Sequence, residues 1–163
     1  MRKGFTMIEL IFVIVILGVL ASVAIPRLAA TRDDAEVAKA ATNLTTAVSD
    51  LTAYYTAKGH FRSGSSKTAQ KIQDFTKLTN ALDKNGNLNV KGKISCVKVD
   101  LPGDAANASS KVNLTLTFTP NVDAVCKQLV KLPGIKTMCG KGEASSLSGK
   151  CEIQIGGSGG IQF

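Results

Sequence analysis

The sequence predicts an α+β fold in which one long N-terminal helix packs on a small antiparallel sheet. Three patterns support this prediction. The chain begins with a continuous apolar run, continues with a one-sided apolar stripe at helical spacing, and then changes to segments in which apolar and polar residues alternate. At 163 residues it has the length of one domain plus an anchor. We place the helix at residues 5–59 and the globular domain at residues 60–163.

The first half of the predicted helix, residues 5–30, is a candidate transmembrane segment. Its core, residues 8–25, is apolar except for Glu9 and two small residues. A run of that length, at about 1.5 Å per residue, spans roughly 27 Å, which is enough to cross a bilayer core. The basic residues Arg2 and Lys3 precede the run, so the positive-inside rule places the N-terminus in the cytoplasm and the rest of the protein outside.

Glu9 is the informative residue of this run. A carboxylate inside hydrocarbon is costly unless it is protonated or paired. If the chain is cut between Gly4 and Phe5, the new α-amino group of Phe5 can meet Glu9 of a neighbouring subunit and align the two helices. The alternative is that Glu9 simply reaches the membrane interface, because it lies close to the helix end. We favour the docking interpretation because the basic N-terminal residues, the glycine at position 4 and the acid Glu9 occur together.

The second half of the helix, residues 31–59, is amphipathic. Pro26 separates it from the apolar run and predicts a kink, because proline lacks the N–H that a helix needs. Gly59 is the predicted stop. We expect the apolar stripe to pack against the protein's own sheet, and a coiled-coil seam is the less favoured alternative because the stripe covers only about three heptads. The stripe consists of Val37, Ala41, Leu44, Val48, Leu51 and Tyr55.

Strand patterns dominate the C-terminal half. Residues 111–119 alternate cleanly between apolar and polar types until Pro120. Residues 92–101 also alternate, but the pattern slips by one position after Cys96. Residues 151–155 predict a last strand. These segments predict a small antiparallel sheet with helical insertions.

The remaining segments predict helices and a turn. Residues 122–132 predict a short helix that Pro133-Gly134 ends. Residues 72–82 have a weaker helical spacing of apolar side chains. Asn85-Gly86 is a signal for the turn of a β-hairpin. Asp83, Asn85 and Asn87 have the spacing that opens a calcium loop, but the bidentate Glu of that loop is missing, so turn formation is the favoured interpretation.

The four cysteines predict two disulfides, as is typical of small exported domains. They are Cys96, Cys126, Cys139 and Cys151. A zinc site has little support, because no CxxC spacing occurs and His60 is distant in sequence. Three pairings are open. We favour a pairing of Cys126 with Cys139, which closes a short loop, and of Cys96 with Cys151, which joins two strand-like segments.

Composition and motifs indicate which classes of function are favoured. The formal net charge of +8 allows binding to DNA or anionic lipid, but a solvated basic surface is the simpler interpretation. Asp100, Gly103 and Asp104 form an acidic turn for which calcium is a less favoured use. No nucleophile with a base, no metal-ligand set and no cofactor motif is evident in the sequence, so we predict that the protein is not an enzyme and has no cofactor.

Residues 1–30 closely resemble the N-terminus of type IV pilin-like proteins: type IV pilins, the pseudopilins of type II secretion and competence pilins. The matching pieces are the leader MRKG, the GFTMIEL motif at Gly4–Leu10, the apolar helix and Pro26. The resemblance implies a pilin fold. It also implies that prepilin peptidase removes the leader, residues 1–4, and methylates the amino group of Phe5, that Glu9 serves subunit docking, and that Pro26 kinks the helix.

The resemblance further implies a filament subunit. Such a protein is held in the bacterial inner membrane before an inner-membrane assembly platform adds it to a helical homo-oligomer, a periplasmic or extracellular filament. The helices would form the filament core and the disulfide-tied domains its surface. The sequence does not distinguish a pilus from a secretion pseudopilus. The alternative is a minor or competence pilin that acts as a DNA- or surface-binding module.

Overall fold

The computed structural model describes residues 4–64, 69–103, 111–142 and 147–157. It confirms the predicted α+β architecture. The chain divides into two compact units, Met1–Ala35 and Glu36–Phe163, which are described separately. The elements are helix α1 (Met7–Lys58), a 3-10 turn (Phe75–Lys77), strands β1 (Asn87–Val90), β2 (Ile94–Asp100) and β3 (Val112–Phe118), helices α2 (Ala124–Leu129) and α3 (Pro133–Met138), and strand β4 (Gly149–Gly156).

The second unit is built on an antiparallel sheet with strand order β1-β2-β3-β4. The amphipathic half of α1 packs against this sheet, as the apolar stripe predicts. Val37, Leu44 and Leu51 of the stripe are buried, together with Ala40 and Ala47, which share their face. The other stripe residues are half-buried at the edge of the core: Ala41, Val48 and Tyr55.

A β-bulge in β2 explains the slip in the alternating pattern. The pairing of β1 with β2 shifts between Leu88 and Asn89, so that Cys96 is the extra residue on β2. Because of the bulge, Cys96 and Val97 are both buried although they are neighbours in sequence. Val99, two residues further along β2, is also buried.

The predicted helix at residues 72–82 is wrong, since only Phe75–Lys77 forms a single 3-10 turn there. Side chains in this segment bond to nearby backbone groups and compete with helix formation. Asp74 accepts a hydrogen bond from the N–H two residues on, at 3.1 Å. Thr79 does the same at 3.2 Å, and its hydroxyl also donates to Asp50 Oδ2 at 2.7 Å.

Asn85-Gly86 is a turn, but the hairpin prediction at this position is wrong. The β1–β2 hairpin closes instead at Lys91-Gly92, where both residues have positive φ, 50° and 85°. Gly86 is needed for another reason. Its φ is +81°, and a Cβ there would lie 2.7 Å from the Phe75 ring and from the Val99 carbonyl oxygen. The glycine therefore allows the chain entering β1 to pass between these two groups.

Asp83 organises this turn, as the turn interpretation expects. Its carboxylate accepts hydrogen bonds from the backbone N–H of Asn85 at 2.9 Å and of Asn87 at 2.8 Å. The side-chain amides of Asn87 and Asn89 donate to its second oxygen at 3.1 and 3.0 Å. Partial burial raises the pKa of Asp83, but these hydrogen bonds outweigh it, and the net pKa is lowered. The turn is therefore stabilised by the ionised acid.

We expect Asp83→Ala to lower the free energy of unfolding by about 1–2 kcal/mol at pH 7, because the N–H groups of Asn85 and Asn87 lose a charged acceptor. The pKa of Asp83 in the folded state is below its unfolded value of about 3.9. The ionised carboxylate therefore stabilises the folded state fully at pH values above the unfolded pKa. This stabilisation is lost as the pH falls through the folded-state pKa. Thermal unfolding of the full chain in detergent between pH 2 and 7 measures this effect. The matched control is Asp100→Ala, whose exposed pair with Lys98 contributes little. Equal pH profiles for the two variants would contradict the assignment.

The helix predicted at residues 122–132 is confirmed as α2. Asp123 caps it by accepting a hydrogen bond from the Val125 N–H at 2.9 Å. Helix α2 ends before Pro133-Gly134, as predicted, and Pro133 also begins a second short helix, α3, which the sequence pattern did not predict. Proline is favoured at the first position of a helix, where its missing N–H is not needed.

The favoured disulfide pairing is wrong. The structure joins Cys96 of β2 to Cys126 of α2, with a Cα–Cα distance of 5.0 Å. It joins Cys139, next to the end of α3, to Cys151 of β4, with a Cα–Cα distance of 5.6 Å. Cys126 and Cys139 do not pair, because the segment between them holds the second half of α2 and all of α3. Each disulfide therefore fixes one short helix to one strand.

Candidate functional site

The N-terminal tip of α1 carries the predicted processing and docking residues. Gly4 and Phe5 precede the helix, and the Phe5 side chain is 90% exposed. Glu9 lies in the first turn of α1. The Glu9 Oε2 atom accepts hydrogen bonds from the Thr6 backbone N–H and from the Thr6 hydroxyl, both at 2.9 Å. The Thr6 Oγ1 atom in turn accepts from the Glu9 N–H at 3.3 Å.

This reciprocal pattern is a capping box, in which a Thr and a Glu three residues later satisfy N–H groups at the start of the helix. Thr6 is a site residue that the sequence interpretation missed, although the spacing Thr-x-x-Glu is visible in the printed sequence. The finding gives Glu9 a role in capping the helix, in addition to the docking role that the sequence predicts. Its carboxylate is held at a defined position at the helix tip.

The apolar part of α1 within the first unit is exposed along its whole length. Large side chains from Met7 to Leu28 are between 42% and 79% exposed. Among the described residues, α1 is the one helix long and apolar enough to cross a membrane, and none of that stretch is buried. An apolar surface of this size is found where lipid or other protein covers it. The segment thus needs a partner that this single chain does not supply.

Pro26 lies inside α1, and the helix continues through it. Proline cannot donate the backbone hydrogen bond that position 26 normally gives to the carbonyl of Ser22. The Ser22 hydroxyl donates to the Val19 carbonyl at 2.7 Å, which satisfies this polar side chain within the helix. The predicted kink at Pro26 stays a prediction.

The other sequence-predicted candidates are not brought together. Within residues 4–64, 69–103, 111–142 and 147–157, no three His, Cys, Asp or Glu side chains form a metal-binding group. His60 Nδ1 accepts a hydrogen bond from the Arg62 N–H at 3.2 Å. Of the acidic turn, Asp100 ends β2, while Asp104 lies outside the described residues.

Part of the protein's positive charge lies in the segment that contains α2 and α3. Residues 124–142 contain four lysines and no acidic residue. Lys127, Lys131 and Lys141 are exposed, and Lys136 is half-buried. Because a disulfide fixes each of the two helices to a strand, the exposed lysines lie on an ordered part of the fold.

Residues 1–25 match the family model described as the prokaryotic N-terminal methylation motif. This motif is characteristic of type IV pilins and pseudopilins. It indicates a precursor of that kind and a structural subunit rather than an enzyme, and together with the exposed apolar helix it fits membrane anchoring before assembly. Neither a curated protein nor a solved structure matches the chain significantly.

Proposed function

We propose that this chain is a structural subunit of a filament, either a type IV pilus-like fibre or a type II secretion pseudopilus. One observation carries the proposal. A helix that is apolar enough for a membrane bears a carboxylate at its tip, five residues after a glycine that lies within the methylation motif. The capping box gives the acid a use in any helix, and its position five residues after the glycine also suits a subunit that docks on copies of itself.

Processing comes first in the proposed sequence of events. Prepilin peptidase cuts between Gly4 and Phe5 and methylates the new α-amino group of Phe5. The cut removes Arg2 and Lys3 and leaves a positive amine four residues before Glu9. The exposed position of Phe5 ahead of α1 is consistent with access by a peptidase.

Docking follows from the geometry of the capping box. Both hydrogen bonds from Thr6 are accepted by Oε2 of Glu9, and we assign Oε1 to the amine of a neighbouring subunit. Pairing two charges in an apolar environment is favourable only with good geometry and further hydrogen bonds. The Thr6 bonds provide those, so the box prepares Glu9 for its partner.

The apolar surface of α1 is covered first by lipid and then by other subunits. Before assembly it lies in the inner membrane, with the N-terminus in the cytoplasm and the globular domain outside. During assembly an inner-membrane platform moves the subunit into the filament, where helices of neighbouring subunits replace lipid. The hydrophobic surface is then buried in the filament core, and the disulfide-tied domains form the outer surface.

We expect Gly4→Asp to block leader removal, because a bulky charged side chain at the cleavage position prevents the scissile bond from entering the peptidase site. The precursor should accumulate in the membrane, and filaments should be absent. Mass spectrometry of the N-terminal peptide measures processing directly. Gly18→Ala is a matched control, since a Cβ at Gly18 meets no atom within 4 Å. A wild-type protein whose N-terminus is still Met1 would overturn the leader assignment.

One observation favours a second candidate function, a minor or competence pilin that binds DNA. Residues 124–142 contain four lysines, three of them exposed, and no acidic residue, and lysine side chains neutralise DNA phosphates. A steep loss of duplex DNA affinity with rising salt, reduced by Lys127→Ala and Lys131→Ala together, would support this function. Affinity that is unchanged in the double variant would exclude this surface.

A further inference from the structure

We propose that the outer face of the sheet docks on the same face of a second copy of this chain, in a two-fold contact between rows of opposite charge. The inference goes beyond the filament function, because it concerns a surface distinct from the apolar part of α1 and its test requires no filament. The outer face is the side of the sheet opposite α1. Six side chains of β2, β3 and β4 define it: Lys98, Asp100, Thr115, Thr117, Lys150 and Glu152.

Alternation along the strands determines which side chains lie on the outer face. Val97, Val99, Leu114 and Leu116 are buried in the core that the sheet shares with α1. Neighbouring residues in a strand point to opposite sides of a sheet, so the residues between these four point away from α1. In agreement, the four charged residues of the outer face are exposed, and its two threonines on the central strand are half-buried.

The strand register arranges the charges of the outer face in two rows. Lys98 of β2 and Lys150 of β4 pair with the same residue of β3. Asp100 and Glu152 also share a partner, which lies two residues earlier on β3. A row with two positive charges therefore lies beside a row with two negative charges, about 6.8 Å away at the usual rise of a strand.

Contacts within the chain orient both acids of the negative row. The Asp100 carboxylate lies 3.8 Å from the Lys98 Nζ atom. Glu152 Oε2 accepts a hydrogen bond from the Asn113 side-chain amide at 2.9 Å. The Lys98 and Asp100 side chains are nevertheless 56% and 50% exposed. The charges thus have defined positions and stay accessible to a partner.

The face can be stacked on itself with aligned strands in two symmetric ways, and one of them pairs opposite charges. In that arrangement the two-fold axis lies in the plane of the contact and runs across the strands, between the two rows. Lys98 then lies opposite Asp100 of the partner subunit and Lys150 opposite Glu152 of the partner subunit, and symmetry repeats both pairs. An axis along the strands would instead place like charges opposite each other. The charge pattern is therefore self-complementary.

The contact is weak for a single pair of chains. Three strands of seven or eight residues, about 4.8 Å apart, cover roughly 14 by 24 Å. This is less than half of the roughly 800 Å² per partner in a stable interface, and exposed ion pairs are screened by salt. Because an array of copies multiplies a weak contact, we expect the face to join arrays of this protein, such as those on two membranes.

Vesicle clustering tests the contact with the full chain. The protein is reconstituted at high density in phosphatidylcholine vesicles, and dynamic light scattering measures their clustering. We expect wild-type vesicles to cluster at low salt and to separate as the salt concentration rises. Lys98→Glu/Lys150→Glu makes both rows acidic, and Asp100→Lys/Glu152→Lys makes both rows basic. Either variant alone should therefore cluster several-fold less than the wild type.

Mixing vesicles of these two variants, labelled with different dyes, should restore clustering between the two populations, because every row then faces its opposite charge. Their net charges are +4 and +12, since each substitution changes the charge of +8 by two units. Both chains are positive, so attraction between net charges does not explain the recovery. The matched control is Lys127→Glu/Lys131→Glu, which also has a net charge of +4 but changes exposed lysines outside the sheet. It should cluster like the wild type by itself and should not cluster with the basic variant.

Three results would contradict the inference. The first is wild-type vesicles that cluster no more than protein-free vesicles at low salt. The second is a mixture of the acidic and basic variants that clusters no more than each variant alone. The third is an equal loss of clustering in Lys127→Glu/Lys131→Glu and Lys98→Glu/Lys150→Glu, which would assign clustering to net charge. Since no filament is involved, none of these results bears on the proposed filament function.

Discussion

The substitution Glu9→Leu is expected to abolish filament assembly while membrane insertion and leader removal continue. The substituted chain keeps the apolar surface that inserts into the bilayer, and Gly4-Phe5 is unchanged. What it loses is the acceptor for the neighbour's amine. Removing one partner of a buried charge pair costs about 3–5 kcal/mol, which weakens each subunit contact by more than about a hundredfold. Immunoblots of the sheared filament fraction and of the membrane fraction measure the two effects separately.

Because Glu9 belongs to a capping box, two further variants can separate the effect of its charge from the effect of its hydrogen bonds with Thr6. Glu9→Gln keeps a residue that can complete the box but removes the charge. Thr6→Ala removes the hydrogen bonds to Glu9 and keeps the charge. If docking depends on the charge, Glu9→Gln fails to assemble and Thr6→Ala assembles with reduced efficiency. Normal filaments from Glu9→Gln would show that Glu9 acts only as a helix cap.

Removing either disulfide is expected to cause the largest loss of stability in the second unit. The sequence separation is 30 residues for Cys96–Cys126 and 12 for Cys139–Cys151. In the chain-entropy description the shorter loop contributes about 3 kcal/mol and the longer one about 0.8 kcal/mol more. We therefore expect the Cys96→Ala/Cys126→Ala variant to unfold at lower denaturant concentration than Cys139→Ala/Cys151→Ala. Circular dichroism of the full chain in detergent measures both.

Tryptic mapping tests the pairing itself. Lysines at 93, 98, 111, 127, 136, 141 and 150 allow trypsin to place each cysteine in a separate peptide. Without reduction, the peptide of residues 94–98 should be linked to that of 112–127, and the peptide of 137–141 to the one that begins at Cys151. A link between the peptides of Cys126 and Cys139 would contradict the structure and restore the pairing that the sequence favoured.

The parts of the fold that were predicted correctly depend on local patterns. The apolar run and the stripe around Leu44 determine a helix without reference to the rest of the chain, and the alternation of residues 112–118 determines a strand. The slip at Cys96 was visible in the sequence, but its cause, a β-bulge, depends on the partner strand. The failures concern longer-range geometry. The helix expected at 72–82 gave way to side-chain hydrogen bonds such as that of Thr79 with Asp50.

The residues of the candidate site could be proposed from the sequence because they lie close together in it, and their roles in cleavage, methylation and docking stay predictions. Their spacing in the sequence is enough to single out Gly4, Phe5 and Glu9 as candidates. The missing member, Thr6, has its sequence signal in the position of Glu9 three residues after a threonine, which is the spacing of a capping box. The disulfide pairing could not be deduced in the same way. The predicted helix at residues 122–132 already placed Cys126 in a helix, but the sequence pattern did not indicate that a second helix, α3, lies between Cys126 and Cys139.

The disulfide connectivity has a consequence for the order of oxidative folding. Each bond joins cysteines that are consecutive along the chain, Cys96 with Cys126 and then Cys139 with Cys151. In a domain that crosses the membrane from residue 60 onwards, as proposed, the first pair is complete before the second pair emerges. An oxidase that joins cysteines as they appear therefore produces the native bonds directly. No isomerisation step, which takes seconds to hours, is then needed before the subunit is ready for assembly.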